Sequence, residues 1–208
     1  MTMILLAGTI GAGKSSLTGR LAKHLGTKAF YEPVNDNPVL PLFYQDKEKY
    51  GFLLQIYFLN KRFQMIKQAQ QEDNNVLDRS IYEDALFTDL NHQLGNINDT
   101  EAAIYHDLLD NMLEELPLAA NKKRPDLLVY IEVSLETQLN RIQMRGRDFE
   151  QSDELLDYYR KLRVAYQEWF ENYDISPKIK IDGDKYDFVN NPADLATVLK
   201  QIDTKLAE

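Results

Sequence analysis

The sequence predicts an α/β fold, a doubly wound parallel sheet of about five strands flanked by helices. Three observations carry this. The first apolar run, Met3-Ile4-Leu5-Leu6-Ala7, is unbroken and ends in glycines, as a strand buried on both faces does. A second such run, DLLVYIEV from Asp126 to Val133, reads the same way. Around them, stretches with a helical apolar period alternate with short strand-like runs, and strands separated by helices pair in parallel.

The elements follow in order. From Lys14 the pattern turns helical, with Leu17, Leu21 and Leu25 four apart and Gly26 as the stop. Ala29 to Tyr31 predicts a second strand. Residues 33–46 hold Pro33, Pro38 and Pro41 and predict loop or short helix. Residues 50–71 predict a long helix, because Phe52, Ile56, Leu59, Phe63 and Ile66 form one stripe. Gln55 and Arg62, seven apart, project from a neighbouring face of that helix, two turns from each other. Asn75 to Leu77 predicts a strand, followed by helices over 82–93 and 100–116. Pro125 marks the entry to the Asp126–Val133 strand. Helices over 135–145 and 153–172, a strand over 178–181 and a helix over 192–206 complete the chain. No repeat, low-complexity segment or linker interrupts it, so residues 1–208 predict one domain.

Composition excludes several classes. Of 208 residues, 44% are hydrophobic, enough for a full core. Cysteine is absent, which rules out disulfides and thiolate zinc sites and points to a cytoplasmic location. No apolar run is long enough to cross a bilayer. The start, MTMILLAGTI, lacks a basic flank and reads as a strand, not a signal peptide. A formal net charge of -9 disfavours nucleic acid polymers and anionic membranes as partners. Any anion must therefore meet a local basic cluster.

One such place is Gly8-Thr9-Ile10-Gly11-Ala12-Gly13-Lys14-Ser15, which matches G-x-x-x-x-G-K-[ST] between a buried strand and a helix and is followed by Ser16. In such a P-loop, backbone N–H groups and a helix N-terminus converge on phosphate oxygens. Lys14 reaches the β- and γ-phosphates, and the Ser15 hydroxyl can ligate Mg²⁺. The expected ligand is ATP with Mg²⁺.

A second basic cluster is Arg141, Arg145 and Arg147, the last after the flexible Gly146. Like charges four apart on a helix repel, and an anion between them reverses the sign. Arginines placed so can stabilise a phosphoryl group in flight, on a lid over about 141–153. The guanine-reading N-K-x-D sequence of GTPases is absent. The expectation narrows to a P-loop kinase with an arginine-rich lid. Glu32, after the second strand, stands where a carboxylate can take a proton from an acceptor hydroxyl.

The stretch VLDRSIYED, residues 76–84, puts Asp78, Arg79, Glu83 and Asp84 at a strand end, where unpaired charges are costly. Together with GTIGAGKSS, YEPV, LFYQDKEKYGFLLQIYFLNKR and RIQMRGRDFE it resembles the deoxynucleoside kinase family, most closely the bacterial deoxyadenosine/deoxyguanosine kinases. The resemblance is collinear over about residues 3–185. It implies ATP-dependent 5′-phosphorylation of a deoxynucleoside, a purine by preference, with deoxycytidine as a further candidate. It also implies a homodimer, or an oligomer with a related subunit.

The resemblance implies these roles. Glu32 is the general base, and Tyr44 with Glu150 holds the sugar 3′-hydroxyl. Gln55 reads the base edge, and Arg62 with Asp84 closes the far end of the base pocket. Arg79 lies near the 5′-oxygen and the phosphoryl groups, and Asp78 lies near Mg²⁺. Arg141, Arg145 and Arg147 are lid arginines, and Asp182-Gly183-Asp184 packs on the ATP adenine. Glu83 has no role in this scheme and is expected to be solvated. Phe43, Phe52, Tyr57, Phe58 and Phe87 can supply stacking, although at helical spacing such residues more often fill a core.

Two alternatives compete. A nucleoside monophosphate kinase of thymidylate kinase type would need extra cations on the acceptor side, whereas Tyr44 and Gln55 are uncharged and Asp36, Asp46 and Glu48 are acidic. A non-catalytic nucleotide-binding subunit would not need the groups that chemistry requires.

Overall fold

The computed structural model describes residues 2–32, 37–71, 75–119, 124–147, 150 and 155–208. Its strands are β1 (Met3–Ala7), β2 (Lys28–Phe30), β3 (Asn75–Asp78), β4 (Leu127–Glu132) and β5 (Lys178–Asp182). They form one parallel sheet in the order β2-β3-β1-β4-β5. The second strand sits one residue earlier than its sequence predicts. It is a short edge strand held by β3 alone, so little in its own pattern sets its ends.

The helices are α1 (Lys14–Leu25), α2 (Leu40–Gln45), α3 (Lys47–Ala69), α4 (Ala85–Gln93), α5 (Asp99–Ala119), α6 (Leu135–Arg145), α7 (Leu155–Asn172) and α8 (Pro192–Ala207). Alternate residues of each central strand serve opposite layers. Ile4, Leu6, Val76, Val129 and Ile131 pack with Leu17 and Leu21 of α1 and Val198 and Ile202 of α8. Leu5, Leu77, Leu128 and Tyr130 pack with α3, α4, α5 and α7. Each such Leu or Ile removed from water contributes about 1.5–3 kcal/mol, so the sheet centre is the stable part of the molecule. Among the described residues, no helix is long and apolar enough to cross a membrane.

This topology fixes where a ligand can sit. From β1 the chain runs out to β2 at one edge and returns through β3, while β4 and β5 lie on the other side of β1. The loops leaving β1 and β3 therefore diverge and open a crevice at the carboxyl edge, the usual ligand position in open α/β sheets. Arg79 N–H donates to Leu6 O at 2.9 Å, which ties the end of β3 to β1 beside that crevice.

The turn out of β1 needs glycine. Gly8 has φ 147, and a Cβ there would stand 2.7 Å from Ile131 O. Gly8→Ala is expected to cost about 1–3 kcal/mol and to weaken ATP binding together with it, because strand and phosphate loop shift as one. Thermal melting with and without ATP checks this. At Gly13, φ 99 sets the left-handed entry to α1, with Phe188 packed against it.

Candidate active site

A cavity of about 520 Å³ occupies the crevice. Its walls come from the P-loop, the end of β2, α2 and α3, the turn after β3, and the end of α6 with Glu150. Of the residues predicted from the sequence, Ile10, Gly11, Lys14, Ser15, Ser16, Glu32, Tyr44, Gln55, Arg62, Asp78, Arg79, Arg145, Arg147 and Glu150 all line it. Asp84 lies behind that wall, wholly buried and paired to Arg62.

At the phosphate end, Lys14 Nζ donates to Gly8 O and Thr9 O, both at 2.8 Å. Burial, and next the like charge of Arg79, pull its ammonium from the usual range down to about 7. The Ser15 hydroxyl donates to the Asp78 carboxylate. These two oxygen donors suit Mg²⁺, which commonly takes one or two protein oxygens and completes its shell with phosphates and water. The described residues hold no group of three or more His, Asp and Glu that could bind an ion unaided.

At the centre stands Glu32, its side chain 11% exposed between two arginines. Arg62 Nη2 donates to Oε1, and Arg79 Nε donates to Oε2 at 2.9 Å. Burial alone would raise this carboxyl, but Arg79, Arg62 and Lys14 outweigh it and hold it down at about 2. Arg62 also pairs with Asp84 through Nη1. It therefore spans from the far wall to Glu32, a wider reach than a pair confined to the far end.

Arg79 adopts φ 70, the left-handed region that a residue other than glycine rarely occupies. Its Nη1 donates to the Tyr166 hydroxyl, which donates in turn to Glu83 Oε2 at 2.6 Å. Glu83 also lies 3.5 Å from Arg79 Nη1. The expectation that Glu83 is solvated is thus wrong: it is 1% exposed. Its Oε1 accepts from Ser80 N at 3.1 Å, closing a capping box at the turn Ile81–Glu83. The signal was present as Ser80-x-x-Glu83, the S-x-x-E pattern. Tyr166 had no such signal, because in α7 it reads as one more core aromatic.

At the other end, Gln55 is 3% exposed, and its Oε1 has no hydrogen-bond partner among the described residues. A buried acceptor left open costs about 1–3 kcal/mol unless a ligand fills it. Phe43, Phe58 and Phe87 line the cavity. Phe52 and Tyr57 do not, and pack instead against apolar clusters. Tyr44 is hydrogen-bonded to Tyr159, whose hydroxyl donates to the Glu150 carbonyl at 2.8 Å. Glu150 Oε2 has no hydrogen-bond partner among the described residues, with Arg145 Nη1 at 3.6 Å.

The three lid arginines separate. Arg147 reaches Glu150 Oε1 at 3.2 Å and, with Arg145, faces the cavity. Arg141 lies on the other side of the P-loop, donating to Ala12 O at 2.9 Å and Gly183 O at 2.8 Å. Asp182 and Asp184 are occupied in shaping their loop. Asp182 Oδ1 accepts from Asp184 N and Lys185 N at 3.0 Å, and Asp184 accepts from Ser134 N at 2.7 Å. Gly183 is engaged as well, its N–H donating to Glu132 O at 2.8 Å. Residues 148–149 and 151–153 of the expected lid lie outside the described residues.

The chain resembles known proteins over nearly its whole length. The profile of the deoxynucleoside kinase family matches residues 4–207. A deoxyguanosine kinase of Lactobacillus acidophilus is 58% identical, over 100% of this chain and 92% of its own length. A deoxyadenosine kinase of the same organism is 57% identical, over 99% of this chain and 97% of its own. The structure of deoxyadenosine kinase from M. mycoides with bound dCTP superposes with a TM-score of 0.82 at 30% identity, covering 98% of this chain and 100% of that one.

Proposed function

The chain belongs to the deoxynucleoside kinase family, and from that premise we propose that it transfers the γ-phosphoryl group of ATP to the 5′-hydroxyl of a purine deoxynucleoside. It is a phosphoryl-transferring enzyme of this family, which sets aside the monophosphate kinase and the non-catalytic subunit. One observation supports this reaction. The P-loop, the Glu32 carboxylate and the unpartnered Oε1 of Gln55 line one cavity.

In the proposed reaction the acceptor proton passes from O5′ to Glu32 as the O5′–Pγ bond forms. The bond from Pγ to the bridging oxygen breaks, and its electron pair stays on ADP. Lys14, Arg145 and Arg147 balance the charge on the moving group, and Arg79 steadies the O5′ side. Mg²⁺, held by Ser15 and Asp78, would neutralise phosphate charge and set its orientation. Gln55 offers one donor and one acceptor, the pattern that pairs bidentately with adenine. Tyr44 and Glu150 take the 3′-hydroxyl, which selects a sugar. Arg141, Gly183 and the shaped loop of Asp182 and Asp184 form the ATP base side.

The purine preference rests on the two Lactobacillus relatives, named for deoxyguanosine and deoxyadenosine. Deoxycytidine stays within the proposal because the M. mycoides deoxyadenosine kinase was solved with dCTP. We place the enzyme in the cytoplasm, with neither nucleic acid polymer nor membrane as partner. We read it as a homodimer, or as an oligomer with a related subunit, joined through α3 and α5. Those helices pack together and leave Leu53 at 49% and Ile104 at 53% exposed.

The test is kcat/KM with ATP for the four natural deoxynucleosides, beside dAMP and dTMP. Deoxyadenosine or deoxyguanosine is expected to lead. Faster turnover of a monophosphate than of any nucleoside would overturn the proposal.

A further inference from the structure

We infer that Arg62 masks the Glu32 carboxylate until a nucleobase draws it away, so that base recognition is a condition for activating the acceptor. This rests on the function proposed above and adds a control to the same site. Both oxygens of Glu32 carry a guanidinium group, Arg62 on Oε1 and Arg79 on Oε2. A carboxylate so neutralised is a poor proton acceptor, and its lowered pKa has the same cause.

The two arginines are not equally fixed. Arg79 is locked by Tyr166 and Glu83 behind it. Arg62 is held on its far side by Asp84, lies over the rings of Phe58 and Phe87, and has no hydrogen-bond partner at Nε among the described residues. It shares a wall of α3 with Gln55, the group placed to grip a base. A base acceptor atom arriving at Gln55 and Arg62 competes for the Nη2 hydrogen bond that Glu32 now holds. Once it wins, Glu32 keeps one arginine, gains basicity and faces the 5′-hydroxyl. Water or a sugar without a base brings no such competitor and meets a carboxylate still masked.

The consequence is suppression of a wasteful reaction. In that leak, water oxygen bonds to Pγ, the Pγ–O bond to ADP breaks with its electron pair on ADP, and the water proton goes to Glu32. Orthophosphate and ADP result. Arg62→Met together with Asp84→Asn removes the mask and its balancing charge, so no buried charge is left unpaired. In this variant, acceptor-free ATP hydrolysis and turnover of 1,2-dideoxyribose are expected to rise about three- to tenfold, the Brønsted response to a more basic carboxylate. Deoxyadenosine turnover should fall.

A second measurement needs no variant. Free adenine or guanine, added to the wild-type enzyme, should itself stimulate ATP hydrolysis several-fold by taking Arg62. Hydrolysis that stays flat or falls in the folded double variant, or that ignores both free bases in the wild type, overturns the mask. A wild-type enzyme that phosphorylates no deoxynucleoside would instead overturn the function on which it rests.

Discussion

Glu32→Gln is expected to lower kcat for every deoxynucleoside by about 10²–10⁴-fold, the range a positioned general base contributes. The amide keeps the shape of the side chain and cannot take the O5′ proton. The fold should survive, because Arg62 keeps Asp84 and Arg79 keeps Glu83, so each buried cation retains a carboxylate. Nucleoside affinity should stay within a few-fold, since Gln55, Tyr44 and Glu150 are untouched. Calorimetric binding and thermal melting separate this outcome from simple unfolding. The wild-type pH profile adds a sign. A base works deprotonated, so activity falls as pH drops through its pKa. With Glu32 held at about 2, kcat/KM should show no acid limb from this group above about pH 4. An acid limb near the ordinary carboxylate range, absent in Glu32→Gln, would mean that the arginine clamp is open in solution. Full transfer by Glu32→Gln would remove Glu32 from the chemistry.

The sequence makes the frame of this site readable and leaves its wiring hidden. The strands β1 and β4 are unbroken apolar runs because helices cover both faces, and α3 shows its stripe because one face meets the sheet. Period and motif are local, so they survive without coordinates. The P-loop, Glu32 and the Asp78-Arg79 turn could be placed at strand ends for the same reason, whereas Gln55 reaches the site through the family resemblance. The links among them are not local. Tyr166 meets Arg79 and Glu83 across 87 and 83 residues of chain, and no periodicity records such a contact. The pairing of Arg62 with Asp84 comes with the family resemblance, but the hold of Arg62 on Glu32, 30 residues away, follows only from the fold, which brings α3 to the chain beyond β2. The positive φ of Arg79 is equally silent, because no glycine marks it.

Arg79→Ala and Asp84→Asn are expected to fail in different ways. Arg79 touches Glu32 at the reacting end, so its loss should lower kcat by about 10²–10³-fold for every base, the effect of deleting one preorganised donor. The ratio of turnover among deoxyadenosine, deoxyguanosine and deoxycytidine should not change. In the proposed site Asp84 reaches the base through Arg62, so neutralising it removes one of that guanidinium's two carboxylates and lets it turn toward a different base edge. The base ratio should then shift several-fold, with a smaller fall in kcat. Tyr166→Phe and Glu83→Gln supply the graded case. Each loosens Arg79 without removing it, so each should lower kcat about tenfold while leaving the base ratio and nucleoside affinity in place. Tyr166→Phe should also lose about 1–2 kcal/mol of stability, as one buried hydrogen-bonded hydroxyl accounts for. A merely structural role for Tyr166 would lower the melting temperature and leave kcat of the folded enzyme intact. Equal losses on every base for Arg79→Ala and Asp84→Asn alike would sink the division between a reacting end and a reading end.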